Sequence, residues 1–202
     1  MNFMRNRWYQ VGLALAVILT VVLVYQQDSI SSFRLLLTIS FISLLLHQVE
    51  EYWLPGYFPR MINTVMFKSK TPDRYPLNTN TALIINLVIG WLLYILAIIF
   101  AESAIWLAII TITISAGNFL AHTFLFNIKG KTFYNPGMAT SILLFLPITV
   151  YFFKFLSNHD LLQPTTLIIG LILGIIVNYF GILRLIPALS KKDTSFVFKP
   201  FR

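Results

Sequence analysis

The sequence predicts an all-α fold, a bundle of about six transmembrane helices, and three observations carry that prediction. Hydrophobic side chains make up 57% of the 202 residues and charged ones 11%, against roughly 25% charged in a soluble domain. Apolar stretches close to 20 residues long recur, the length needed to cross about 30 Å of hydrocarbon. The basic residues fall almost entirely on alternate connections, as the positive-inside rule requires.

The first span covers residues 8–25. Arg5 and Arg7 precede it, as they would a secretory signal, but the run is long for one. It ends on Val24-Tyr25-Gln26-Gln27 with no small-residue cleavage site, so it reads as a retained helix. The second span, residues 33–54, ends in a polar motif. Residues 55–81 form the only long connection, rich in Pro, Asn and basic residues, and read as a cytoplasmic loop. Within it Met61, Ile62, Val65, Met66 and Phe67 suit a short helix lying on the membrane surface. Residues 82–101 and 104–126 are separated only by Glu102 and Ser103, which predicts a tight helical hairpin. Spans at 138–156 and 164–186 follow, and a cytoplasmic tail, 187–202, alternates basic residues with Phe196, Phe198 and Phe201. Residues 1–202 are expected to form a single integral membrane domain.

With six spans and both termini cytoplasmic, the inner segments hold Arg5, Arg7, Arg60, Lys68, Lys70, Arg74, Lys129, Lys131, Arg184, Lys191, Lys192, Lys199 and Arg202. Outside remain only Arg34 and Lys154. The net charge of +8 therefore reports topology and contact with the anionic cytoplasmic leaflet of a lipid bilayer. No nucleic acid is expected as a partner, because the cations are spread over four segments with no recognition fold to organise them. The chain has no cysteine, which removes disulfides, thiolate ligands and cysteine nucleophiles.

The second span closes on His47-Gln48-Val49-Glu50-Glu51. One carboxylate at the centre of a membrane helix costs about 2.5–3.5 kcal/mol, so two beside an imidazole require a function. On a helix His47, Glu50 and Glu51 share an arc of roughly 100°, which Ser40 and Ser43 extend. In the fourth span Thr111, Ser115, Asn118 and His122 are spaced as one polar seam. Gly170, Gly174, Asn178 and Gly181 make another in the last, where Gly170-x-x-x-Gly174 is a close-packing surface. His47 lies roughly 10 Å and His122 roughly 6 Å from the cytoplasmic ends of their helices at about 1.5 Å per residue. Asn86 and Asn178 fall in the same half of the membrane, although alone they read as interhelical hydrogen-bonding groups.

Three motifs in order resemble the HXXEE-domain family of prokaryotic integral membrane proteins, whose function is unknown. They are His47-Gln48-Val49-Glu50-Glu51, Asn118-Phe119-Leu120-Ala121-His122 and Tyr134-Asn135-Pro136-Gly137. Pro55-Gly56-Tyr57-Phe58-Pro59 is similar to the segment that follows the first motif. The resemblance spans somewhat under half the chain. It implies a membrane-embedded enzyme of the prokaryotic cytoplasmic (inner) membrane, metal-dependent, with no assigned reaction.

Two histidines and one or two glutamates are a nitrogen–oxygen ligand set that suits Zn or Fe, and Mn less well. His47, Glu50, Glu51 and His122 are the candidate metal ligands, and no other cofactor is expected. Glu50 or Glu51 would coordinate while the other serves as general base, with Asn118 as ligand, supporting group or substrate contact. Tyr134 is placed to donate its phenol proton to substrate. The substrate is expected to be lipid-like or a small amphiphile, the reaction hydrolytic or redox. Three other readings share the cluster: a metal-free acid–base isomerase of a lipid, a proton- or ion-coupled transporter, and a non-catalytic assembly partner. Transport fits less well, since no two-fold repeat is present and the outer half is apolar through 92–100, 105–110 and 143–153.

The charge asymmetry generates a test of topology. Single cysteines introduced at Ser69 and Asn158, in a chain with none of its own, should react with an impermeant thiol reagent from opposite faces of the membrane. Reaction of both from one face would overturn the six-span arrangement with its cytoplasmic termini.

Overall fold

The computed structural model describes residues 2–199. Phe201 and Arg202 of the tail lie outside the described residues. All regular structure among the described residues is helical, and six helices are long and apolar enough to cross a membrane. These are α1 (Asn2–Gln26), α2 (Ser32–Tyr52), α4 (Thr79–Ile99), α5 (Ile105–Gly130), α6 (Met138–Asn158) and α7 (Pro164–Ala188). Between α2 and α4 lies the short helix α3 (Phe58–Val65). This is the fold of a multi-pass membrane protein.

Local chemistry sets the helix ends. The Ser31 hydroxyl accepts from Arg34 N at the start of α2, and Asn78 Oδ1 accepts from Asn80 N and Thr81 N at the start of α4. Pro59 and Pro164 stand in the first turns of α3 and α7, where no amide donor is missed. Helix α5 stops at Lys131, which adopts φ 49°. The hairpin between α4 and α5 is closed by Glu102, which binds Arg34 at 2.8 Å and the Ser31 hydroxyl. The Ser31 hydrogen bond, with help from Arg34, holds the Glu102 carboxyl below its usual range.

Burial is unequal, and that inequality positions the site. Within their most apolar windows 67% of α2 and 50% of α5 are buried, against 17% of α1 and 11% of α7. Helices α2 and α5, which carry the two histidine motifs, are therefore the centre of the bundle. The others present Val, Ile and Leu outward, as on Val17, Ile18, Ile172 and Ile175. At one end Phe33, Phe152 and Phe155 pack together, and at the other Trp8, Tyr52, Phe58 and Phe126 surround the motifs. Four helices each contain a π-helical stretch: Ile85–Trp91, Ala121–Leu125, Ser141–Phe145 and Val177–Arg184. Such stretches recur at functional sites because they redirect side chains within a continuous helix. His122 stands in one of them.

Helix α7 meets α5 through its glycines. A Cβ built on Gly170 would lie 2.6 Å from Ile109 Cβ, and one on Gly174 2.5 Å from Thr113 Cβ. Asn178 adds a hydrogen bond from Nδ2 to the Thr113 carbonyl at 3.2 Å. Gly170→Ala and Gly174→Ala should each lower the thermal midpoint of the detergent-solubilised protein, since overpacking costs about 1–3 kcal/mol. Gly181→Ala, whose nearest new neighbour would be 3.5 Å away, should leave it unchanged. Equal behaviour of all three would remove the close-packing role.

Candidate metal centre

His47 and Glu51 are one helical turn apart on α2, and His122 reaches them from the π-helical stretch of α5. The rings of His47 and His122 lie 4.9 Å apart at 89°. Glu51 Oε1 is 3.3 Å from His122 Nε2 and 3.6 Å from His47 Nε2, and all three side chains are buried. One ligand atom from each residue lies within 4.8 Å of the others, so the group could hold a metal ion.

The far side of each ring fixes its proton. Asn135 gives its Nδ2 hydrogens to the His122 carbonyl and to Asn127 Oδ1, both at 2.7 Å. Its Oδ1 is left to face His122 Nδ1 at 2.6 Å. An amide oxygen only accepts, so that nitrogen carries the hydrogen. On His47, Nδ1 meets Thr140 Oγ1 at 2.9 Å. The single Thr140 proton goes to Glu50 Oε2 at 2.5 Å, a short charge-assisted bond. His47 Nδ1 must then be the donor. Both Nε2 atoms accordingly present lone pairs toward Glu51 Oε1, and neither has a hydrogen-bond partner. Three acceptors converge with no donor between them.

A single added proton, on Glu51 or on one ring, bridges one pair and leaves the other nitrogen bare. One cation satisfies all three. Ligand atoms about 2.0–2.1 Å from a tetrahedral ion lie about 3.3–3.4 Å apart, close to the observed 3.3 and 3.6 Å. The Nδ1 hydrogen bonds are the outer contacts that orient ligating imidazoles.

Gly137 makes the approach of the rings feasible. Its φ is +100°, and a Cβ there would strike His122 Cε1 and lie 2.8 Å from His47 Cε1. The last residue of Tyr134-x-Pro-Gly is thus a wall on which both imidazoles rest.

Glu50 does different work. Its oxygens accept from the Tyr134 hydroxyl at 2.8 Å, Ala139 N at 3.1 Å, Thr140 N at 2.8 Å and the Thr140 hydroxyl. A carboxylate from α2 therefore caps the N-terminus of α6, where backbone amides and the helix dipole favour an anion. Burial, followed by the bond to Glu50, raises the Tyr134 phenol above its ordinary range and keeps it a donor. Tyr134 is spent on Glu50 rather than aimed at a cavity.

The other candidates separate as well. Asn118 donates to the Ile114 carbonyl of its own helix at 3.0 Å and lines the cavity beside the triad. Thr111 and Ser115, which share its seam, bind the Tyr94 hydroxyl instead, through the Thr111 carbonyl and the Ser115 hydroxyl. Asn86 accepts from Gln48 Nε2 at 3.0 Å while Trp91 Nε1 donates to Gln48 Oε1 at 2.8 Å. Sequence reasoning missed Asn135, Thr140 and Gln48. The first two flank Pro-Gly at the head of a helix, a position where polar side chains invite attention.

A cavity of about 80 Å³ opens on two members of the triad, lined by His47, Gln48, Glu51, Tyr52, Asn86 and Asn118 with Leu and Ile side chains around them. His47 and Glu51 are thus accessible to a small group, while His122 lies behind them, outside the cavity lining.

A family model described as "Protein of unknown function with HXXEE motif" matches residues 38–152, more than half of the chain. The chain belongs to the HXXEE family. Comparison with curated proteins and with solved structures returned no match.

The two glutamates should part in stability. Glu51→Gln supplies an N–H where three acceptors meet and should raise the thermal midpoint of protein stripped with a chelator. Glu50→Gln sets an NH2 group against backbone amides and should lower it by the equivalent of about 1–3 kcal/mol. A fall of the same size in both would overturn the division of roles.

Proposed function

We propose that this chain is a membrane-embedded metalloenzyme in which His47 Nε2, His122 Nε2 and Glu51 Oε1 hold one divalent cation, zinc or iron(II). The observation that carries this reading is the convergence of the buried Glu51 carboxylate with two imidazole Nε2 atoms, each on a ring whose hydrogen is held at Nδ1. Two histidines and one carboxylate leave coordination positions open, and a cavity adjoins His47 and Glu51. Such an ion supplies Lewis-acid polarisation of a substrate oxygen, or redox chemistry if it is iron. Asn135 and Thr140 orient the imidazoles, Gly137 spaces them, and Glu50 anchors Thr140. Gln48, held by Asn86 and Trp91, presents a fixed amide to the cavity.

The site lies at the end of the bundle that carries Arg5, Arg7, Lys129 and Arg184, so by the positive-inside rule it opens in the cytoplasmic half of a prokaryotic inner membrane. A lipid-like or small amphiphilic substrate suits that depth, since Leu and Ile make up half of the residues lining the cavity.

Elemental analysis of the purified protein should give one equivalent of zinc or iron. His47→Ala, His122→Ala and Glu51→Gln should each lose it while remaining folded, and Glu50→Gln should keep it. A wild type that never carries stoichiometric metal after reconstitution with either ion would overturn the proposal, leaving metal-free proton transfer as the chemistry of the cluster.

A further inference from the structure

A cavity larger than the one at His47 and Glu51 lies beside the candidate metal centre rather than on it. It encloses about 660 Å³ at the N-terminal end of α1, and Arg5, Arg7 and Lys199 line it together with Tyr9, Tyr52 and Trp53. Among the described residues no carboxylate lines it. Its arginines are held by neutral groups: Arg5 by Asn80 Oδ1 at 3.3 Å, Asn2 Oδ1 at 3.0 Å and the face of Phe196 at 4.2 Å, Arg7 by Gln10 Oε1 at 3.1 Å. Two other arginines are paired with carboxylates, Arg34 with Glu102 and Arg74 with Asp73, both within 2.8 Å. Two guanidinium groups and an ammonium around one space repel each other unless an anion sits among them. Among the described residues these charges have no carboxylate partner, and Arg5 is held in place by Asn2, Asn80 and Phe196.

Tyr52 lines both this cavity and the small one on the triad, and it follows Glu51 directly in sequence. Its oxygen accepts from Asn86 Nδ2 at 3.3 Å, which leaves the phenol proton available to a guest. Tyr9 stacks on Tyr52 at 6.3 Å and Trp53 lies 6.4 Å from Tyr9. Such aromatic walls occur at the level of lipid headgroups.

We propose that this basic cavity is the subsite for the phosphate of an anionic amphiphile, whose neighbouring polar linkage passes Tyr52 to reach Glu51 and the histidines. As an assignment of substrate class this rests on the metalloenzyme reading; as a binding site it does not. Arginine is suited to phosphate by its planar fork of donors. The same chemistry is offered by a phospholipid headgroup and by a soluble phosphate ester.

Native mass spectrometry of the detergent-solubilised full chain, stripped of metal, tests the subsite with dihexanoyl phosphatidic acid, dihexanoyl phosphatidylcholine and inorganic phosphate. Phosphatidic acid should bind at least tenfold more tightly than phosphatidylcholine. Arg7→Gln and Lys199→Gln should each weaken it, and Arg5→Gln/Arg7→Gln by about tenfold or more. Competition by inorganic phosphate at similar concentration would identify a soluble phosphate ester as the source, and its absence a lipid. Equal binding of the two lipids would overturn the proposal. So would an equal loss in Lys191→Gln/Lys192→Gln, which alters the same face outside the cavity. His122→Ala should bind as wild type, which separates this result from the fate of the metal. Loss of binding there would place the anion at the metal centre instead and overturn the subsite.

Discussion

Everything at the motif end of this bundle depends on where two imidazole protons sit. Asn135 and Thr140 take the Nδ1 hydrogens of His122 and His47, and the Nε2 lone pairs must then confront the Glu51 carboxylate. A buried acceptor without a partner costs about 1–3 kcal/mol, and a fold selected for stability alone would rotate Asn135 or replace Glu51. The chain instead fixes Asn135 through two donated hydrogen bonds and fixes Thr140 through Glu50. Frustration at the centre is maintained by satisfaction around it.

The surrounding structure explains how such a cluster survives among lipid-facing helices. Its ligands stand on α2 and α5, the two most buried spans, so the charged and polar groups never meet hydrocarbon. The loop from Lys131 to Gly137 brings three residues into the bundle, where Tyr134 meets Glu50, Asn135 meets His122, and Gly137 meets both histidines. The HxxEE segment is therefore bifunctional. Glu51 belongs to the triad that could hold a metal ion, and Glu50, about 100° away on the helix, clamps the helix that supplies Thr140.

Much of this was legible in the sequence. Apolar run length gave six crossing helices, because membrane thickness imposes one scale on every span. The i, i+4 spacing of His47 and Glu51 placed them on one face, and the burial cost of ionisable groups marked the cluster as a site. What could not be read was the choice between Glu50 and Glu51, since both lie on the arc of His47 and only the position of α6 separates them. Asn135 was hidden for a similar reason. Its contacts with His122 and Asn127 depend on how the chain turns after Lys131, and periodicity carries no information about a turn. Asn118 shows the converse. Its spacing from His122 suggested a joint role, yet its amide folds back on Ile114, while Thr111 and Ser115 on the same seam serve Tyr94. A polar stripe on a membrane helix can meet different neighbours along its length.

Polarity changes sign around Tyr52. On one side the small cavity has Leu and Ile walls with His47 and Glu51 among them; on the other the larger one has aromatic walls, and the charged side chains lining it are Arg5, Arg7 and Lys199. Neighbouring spaces of opposite charge preference would collapse toward each other if the guanidinium groups could reach Glu51. Arg5 is instead held away by Asn2, Asn80 and Phe196, and Trp8, Tyr9, Tyr52 and Trp53 pack into a partition between α1 and α2. Among the described residues the carboxylate therefore keeps the histidines as its only ionisable company within ion-pair distance. A cation drawn to the triad meets no competing internal charge, and an anion drawn to the arginines is kept at one side chain's remove from it.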